Sequence, residues 1–117
     1  MADLQIFHNP RCSKSRGAME AIEGAGADAE VVKYLDTPPD RDTLESIIDK
    51  LEDPVENLVR TGDARNKGID LPGVLDRDAV IGVLLEHPEL MERPLLVKGD
   101  RAIIGRPTER VQPFLDS

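Results

Sequence analysis

With 117 residues the chain is long enough for one hydrophobic core and too short for two. Hydrophobic residues make up 39% and aromatics only 3%, with no Trp, so that core must be built from Leu, Ile and Val. A net charge of −8 argues against the broad basic face of a general nucleic-acid binder, and a single cysteine excludes an intrachain disulfide and points to a reducing, cytoplasmic setting.

No run reaches the about 18 apolar residues of a membrane span. Met1-Ala2-Asp3-Leu4 lacks a basic region followed by an apolar stretch, so no signal peptide is expected. Residues 3–8 read as a strand in which Leu4 and Ile6 alternate, ended by Asn9-Pro10. Residues 13–24 read as a helix, with Ser13 as candidate N-cap and Gly24 and Gly26 as stop signals. The β-branched and apolar run 29–35 reads as a second strand, which completes a βαβ unit with a parallel strand pair.

Thr37-Pro38-Pro39-Asp40 opens a helix whose buried face is Leu44, Ile47, Ile48 and Leu51, broken by Pro54. Val55, Leu58 and Val59 suggest a short helix ending near Arg60-Thr61-Gly62, and 62–75 an irregular or partly helical link. Asp76 caps a further helix with Val80, Ile81, Leu84 and Leu85 inward, stopped at His87-Pro88. Residues 94–98 and 101–105 flank Gly99-Asp100 as a hairpin. Residues 107–115 read as a last helix, with Pro107 at its start, Val111, Phe114 and Leu115 inward, and Pro113 expected to shorten it. Removing the helices from about 40 to 88 leaves a four-stranded mixed sheet with helices on its faces, a single α/β domain.

The only cysteine, Cys12, sits in His8-Asn9-Pro10-Arg11-Cys12-Ser13-Lys14-Ser15-Arg16, where the first strand gives way to the first helix. A lone cysteine is by default a small buried hydrophobe. Here Arg11, Lys14 and Arg16 surround it, and burying them would be costly, so a reactive thiolate is the better reading. An unperturbed thiol of pKa ~8.5 is only about 3% ionised at pH 7. A helix dipole contributes roughly 0.3–1 kcal/mol. A nearby cation lowers a pKa by about 1–3 units, so the basic neighbours are expected to decide the ionisation.

Arg60, Arg93 and Arg106 each stand at an element boundary, and the last two precede proline. A guanidinium's planar fork suits an oxyanion, although each could equally form a surface ion pair with one of the 23 acidic residues. No His, Cys and carboxylate spacing suits zinc: His8 and Cys12 are only two candidate ligands. His87 reads as structural, near a helix end.

From Leu4 to Leu115 the chain resembles the glutaredoxin-linked arsenate reductase family, ArsC-like members of the thioredoxin-like superfamily. The segments that carry this are the Cys12 run, Tyr34-Leu35-Asp36-Thr37-Pro38-Pro39, Leu58-Val59-Arg60-Thr61, His87-Pro88, Glu92-Arg93-Pro94-Leu95-Leu96-Val97 and Ile104-Gly105-Arg106-Pro107. The resemblance implies a thioredoxin-like fold, with Cys12 attacking arsenate and Arg60, Arg93 and Arg106 binding the arsenate and its thiol adduct. It further implies that His8 assists ionisation of the thiol and that Pro94 is a cis-proline facing it. No bound cofactor is implied; glutathione or another small thiol is the co-substrate, a glutaredoxin-type protein the partner, and the chain is expected to act as a monomer.

Ser15 replaces the second cysteine of a C-x-x-C pair, so an external thiol must resolve the adduct. The phosphatase-like arsenate reductases need C-x5-R, and the sixth residue after Cys12 is Ala18, which excludes their mechanism. Two alternatives stay open. One is a glutathione-dependent thiol-disulfide reductase without arsenate specificity, whose arginines would hold glutathione carboxylates. The other is a redox-linked regulator that binds RNA polymerase; such sensors typically carry the C-x-x-C switch that Ser15 breaks.

Overall fold

Strands β1 (Leu4–Phe7), β2 (Ala29–Val32), β3 (Leu95–Lys98) and β4 (Arg101–Ile104) form one mixed sheet in the order β2-β1-β3-β4. The structure, a computed structural model, describes residues 4–116. Met1, Ala2 and the expected strand start at Asp3 lie outside the described residues. β1 pairs with β2 in parallel and with β3 antiparallel, and β3 pairs antiparallel with β4. The fold is thioredoxin-like: βαβ, then helices, then a hairpin and a final helix.

Alternation along the strands splits the core between the two faces. Leu4, Ile6, Leu96 and Ile103 pack with Ala18 and Ile22 of α1 (Ser13–Gly24) and with Val111 and Phe114 of α5 (Val111–Asp116). Phe7, Leu95, Val97, Ala102 and Ile104 face α2 (Arg41–Lys50), α3 (Thr61–Asn66) and α4 (Arg77–Glu86). The central strand β3 feeds both faces, which is why it reads as a continuous apolar run. Each fully buried aliphatic side chain contributes roughly 1.5–3 kcal/mol, so a core with almost no aromatic rings suffices.

Several boundaries differ from expectation, each for a local reason. The strand expected over 29–35 stops at Val32, because its partner β1 ends at Phe7. Lys33 then starts a turn, its carbonyl accepting from the N–H groups of Asp36 and Thr37, and Tyr34 drops into the core. The N-cap of α1 is Cys12, not Ser13: Cys12 has extended backbone (φ −96°, ψ 123°) and its carbonyl accepts the first helical N–H, from Arg16. Leu51 does not continue α2 but turns extended and bridges to Ala102, and the Glu52 N–H donates to the Ala102 carbonyl.

The short helix near residue 55 is a 3-10 turn over Val55–Leu58, Val59 bridges Met91, and α3 begins already at Thr61. Asp76 caps α4 as expected, its side chain accepting from the Ala79 N–H. Val83 takes the inward position expected of Leu85, which lies on the solvent side. The hairpin turns on Gly99 at φ 58°, the conformation that favours glycine at the first central position. The last helix starts at Val111, after a 3-10 turn over Thr108–Arg110, and keeps Pro113 in its first turn, where no donor is lost.

Gly105, just past β4, is buried, and its N–H donates to the Pro94 carbonyl at 2.8 Å. A Cβ there would stand 3.0 Å from Pro94 Cγ and 3.3 Å from Leu96 Cδ1. Gly105→Ala should therefore cost about 1–3 kcal/mol by overpacking against a ring that cannot rotate away. Chemical denaturation would show it as a lower midpoint, and a midpoint equal to wild type would refute the close-approach argument.

Candidate active site

Asn9, Pro10 and Arg11 carry the chain from β1 to α1 in a tight loop. The Cys12 N–H donates to the Asn9 carbonyl at 3.0 Å, and the Asn9 side-chain oxygen accepts from the Arg11 N–H at 3.0 Å. This loop places Cys12 at the helix N-cap, partly exposed, with the N–H groups of Lys14 and Ser15 directed at its sulfur. Burial pushes the thiol pKa up. The Ser15 N–H, the Arg93 guanidinium and the Lys14 N–H outweigh it and hold the pKa below the ordinary thiol range.

The cations that act are not the sequence neighbours. Arg11, Lys14 and Arg16 are exposed, and Arg16 donates to the Pro10 carbonyl instead. The positive charge on the sulfur comes from across the sheet. Arg106 Nη2 donates to Cys12 Sγ at 3.3 Å, and the Arg93 guanidinium also faces the sulfur. Arg106 Nε donates to the Arg93 carbonyl at 2.7 Å, which couples the two arginines. Both precede cis peptide bonds, Arg93–Pro94 and Arg106–Pro107.

Arg60 lies one step further out. It donates to Asp63 at 2.7 Å and to Glu92 at 2.6 Å, and Glu92 also stands 3.3 Å from Arg106 Nε. Glu92 thus ties Arg60 to Arg106, and it accepts from the Arg93 N–H as well. An open cleft of about 610 Å³ adjoins this group, lined by Asp53, Glu56, Arg60, Asp63, Glu92 and Arg106 among others. Arg106 connects that cleft to the sulfur.

His8 is buried, and its Nδ1 lies 2.6 Å from Ser15 Oγ. Among the described residues no hydrogen bond joins His8 to Cys12. Burial, then the charge of Lys33, lowers the His8 pKa, so the imidazole is neutral at pH 7. The Asn9 N–H also donates to Ser15 Oγ, at 3.0 Å, so the hydroxyl joins His8 to the backbone of the loop. Ser15 therefore acts twice: its N–H faces the sulfur, and its wholly buried hydroxyl locks the loop to His8.

A model of the ArsC family matches residues 7–114. The chain belongs to the ArsC family. An ArsC relative named arsenate reductase, from Neisseria meningitidis serogroup A, is 45% identical over 118 residues, covering 98% of this chain and 100% of the relative. Another, from Escherichia coli, is called an uncharacterized protein and is 39% identical, covering 92% of each chain. The solved structure titled arsenate reductase from Vibrio cholerae superposes with a TM-score of 0.78 at 35% identity, covering 94% of this chain and 95% of that one.

Two ArsC site features escaped the sequence reading. Glu92 carried no assigned role, yet it organises two of the three arginines. The usable signal was its position directly before an Arg-Pro pair that recurs at Arg106-Pro107. Asn9 was read only as a strand breaker, although its backbone and side chain fold the loop that presents the thiol. No helix among the described residues is long and apolar enough to cross a membrane, and among the same residues no cluster of three or more His, Cys, Asp or Glu could hold a metal ion.

Proposed function

We propose that the protein reduces arsenate to arsenite through a covalent adduct on Cys12. The observation that carries this reading is a cysteine at a helix N-terminus, its pKa held below the ordinary thiol range, with the Arg106 guanidinium 3.3 Å from its sulfur and Arg93 beside it. That arrangement suits a nucleophile which must also hold a tetrahedral oxyanion. The names of the relatives support arsenate as that oxyanion.

The Cys12 thiolate attacks arsenic, an S–As bond forms, and an arsenate oxygen leaves as water after protonation. Arg93 and Arg106 hold the remaining oxygens, and Arg60 holds charge at the mouth of the cleft. With one cysteine in the chain, the second thiol must come from solution. A small thiol such as glutathione attacks the Cys12 sulfur: an S–S bond forms, the S–As bond breaks, and its electron pair passes to arsenic, giving arsenite. A glutaredoxin-type dithiol then reduces the mixed disulfide. The two electrons come from thiols, so the scheme uses no bound cofactor. It requires one chain only and a reducing cytoplasm to supply the thiols. His8 is a positioning residue that acts through Ser15.

The test is direct measurement of arsenite from arsenate, omitting glutathione and glutaredoxin in turn. Without glutathione no arsenite should form. Without glutaredoxin Cys12 should accumulate as a mixed disulfide visible by mass spectrometry. A readily alkylated Cys12 with no arsenite under any combination would replace this reading with a general thiol-disulfide reductase.

A further inference from the structure

Among the described residues, two buried side-chain groups have no hydrogen-bond partner: the Tyr34 hydroxyl and the Arg93 Nε. Both belong to the surroundings of Cys12. Tyr34 is wholly buried, just beyond β2, in the core layer that faces α2 to α4. Its hydroxyl lies in the fields of Arg93, Cys12 and Arg60, and the Asn9 side chain is near it without completing a hydrogen bond.

A buried unpartnered hydroxyl is destabilising, because its lost hydration is not replaced. Phenylalanine would fill the same volume without that cost, so packing gives no reason for the oxygen. Burial, the largest influence on the phenol, raises its pKa and keeps it a neutral O–H donor. Arg93 turns its guanidinium toward the sulfur and keeps its Nε–H unspent. Two donors without acceptors, one on the arginine that contacts the sulfur and one within the sulfur's field, are matched to a ligand oxygen.

We propose that Tyr34 is a further oxyanion-contacting residue: its hydroxyl, beside the Arg93 Nε–H, donates to an oxygen of the arsenic group while that group is bonded to Cys12. This rests on the reading of Cys12 as the nucleophile toward arsenate. Because both groups are buried, the oxyanion reaches them only when drawn onto the sulfur. The contact therefore belongs to the adduct and its flanking transition states rather than to the first encounter, and it acts on kcat rather than KM.

Tyr34→Phe tests it, read by steady-state arsenate reduction, by alkylation of Cys12 without arsenate, and by thermal unfolding. The expected result is a kcat lower by on the order of 10²-fold with KM within about twofold of wild type. Alkylation and its pH dependence should be unchanged, because the lost group is neutral. The unfolding midpoint should be equal or higher, because an unpartnered buried hydroxyl has gone. Wild-type kcat in the variant would overturn the proposal, as would a fall in kcat accompanied by a fall in melting temperature or in alkylation rate. A wild-type protein that makes no arsenite fails at the earlier step, so the proposed function falls first and this contact with it.

Discussion

Cys12→Ser should leave the fold intact and reduce arsenite production by on the order of 10³-fold or more, the scale expected when a covalent nucleophile is lost. The substitution is close to isosteric, and the cap position accepts serine well. The fold therefore has no reason to change, and circular dichroism and the unfolding midpoint should verify that. The chemistry does change. A hydroxyl is not ionised at neutral pH, even beside Arg93, Arg106 and the N–H groups of Lys14 and Ser15. It also cannot form the disulfide through which electrons reach arsenic in the proposed scheme. A serine variant retaining turnover within tenfold of wild type would remove Cys12 from the chemistry.

Arg93→Ala should have the second-largest effect, and its pH profile separates two causes. Loss of a cation beside the thiolate raises the Cys12 pKa. Activity follows the thiolate, so it rises as pH passes upward through a pKa that in wild type lies below the ordinary thiol range. In the variant that rise moves to higher pH, and at neutral pH fewer molecules carry the nucleophile. Raising the pH should restore ionisation but not the lost oxyanion contact, which leaves a residual deficit of on the order of 10²-fold. Thiolate absorbance at 240 nm, titrated alongside turnover, measures the first part alone. An absorbance titration identical to wild type would show that Arg93 does not ionise the thiol. The same linkage bears on stability: the thiolate's contribution is complete above the unfolded thiol's pKa and is lost as pH falls through the lower folded one.

Which parts of this molecule could be read from the chain depended on whether the deciding physics was local. The span of α1, the Asp76 cap and the glycine turn at Gly99 are written in runs of neighbouring residues, and all were legible. The end of β2 was not, because β1 sets it. Leu51 has the spacing of a helical residue, but a bridge to Ala102 in another strand draws it out of α2. The site divides in the same way. Cys12 announced itself by its place between a strand and a helix. Its acidity was misassigned to Arg11, Lys14 and Arg16 because sequence proximity stood in for spatial proximity. The hairpin turned on Gly99-Asp100 already sets Arg93 opposite Arg106, since Leu95 pairs with Ile104, whereas only the resemblance brought that pair to Cys12. Tyr34 stood in a matching segment with no role attached, since only burial reveals that its hydroxyl lacks a partner.

The Arg106–Cys12 contact joins residues 94 apart in the chain. Closing so long a loop has little reward until the strands between have paired, so this contact belongs to the end of folding rather than its start. An unfolded chain thus carries a cysteine of ordinary acidity, mostly protonated in a neutral cell and slow toward electrophiles. Formation of α1 supplies the Ser15 and Lys14 N–H groups, and only the paired sheet adds the arginines. The rate at which a small alkylating reagent labels Cys12 is accordingly a reporter of completed folding, available with no added probe.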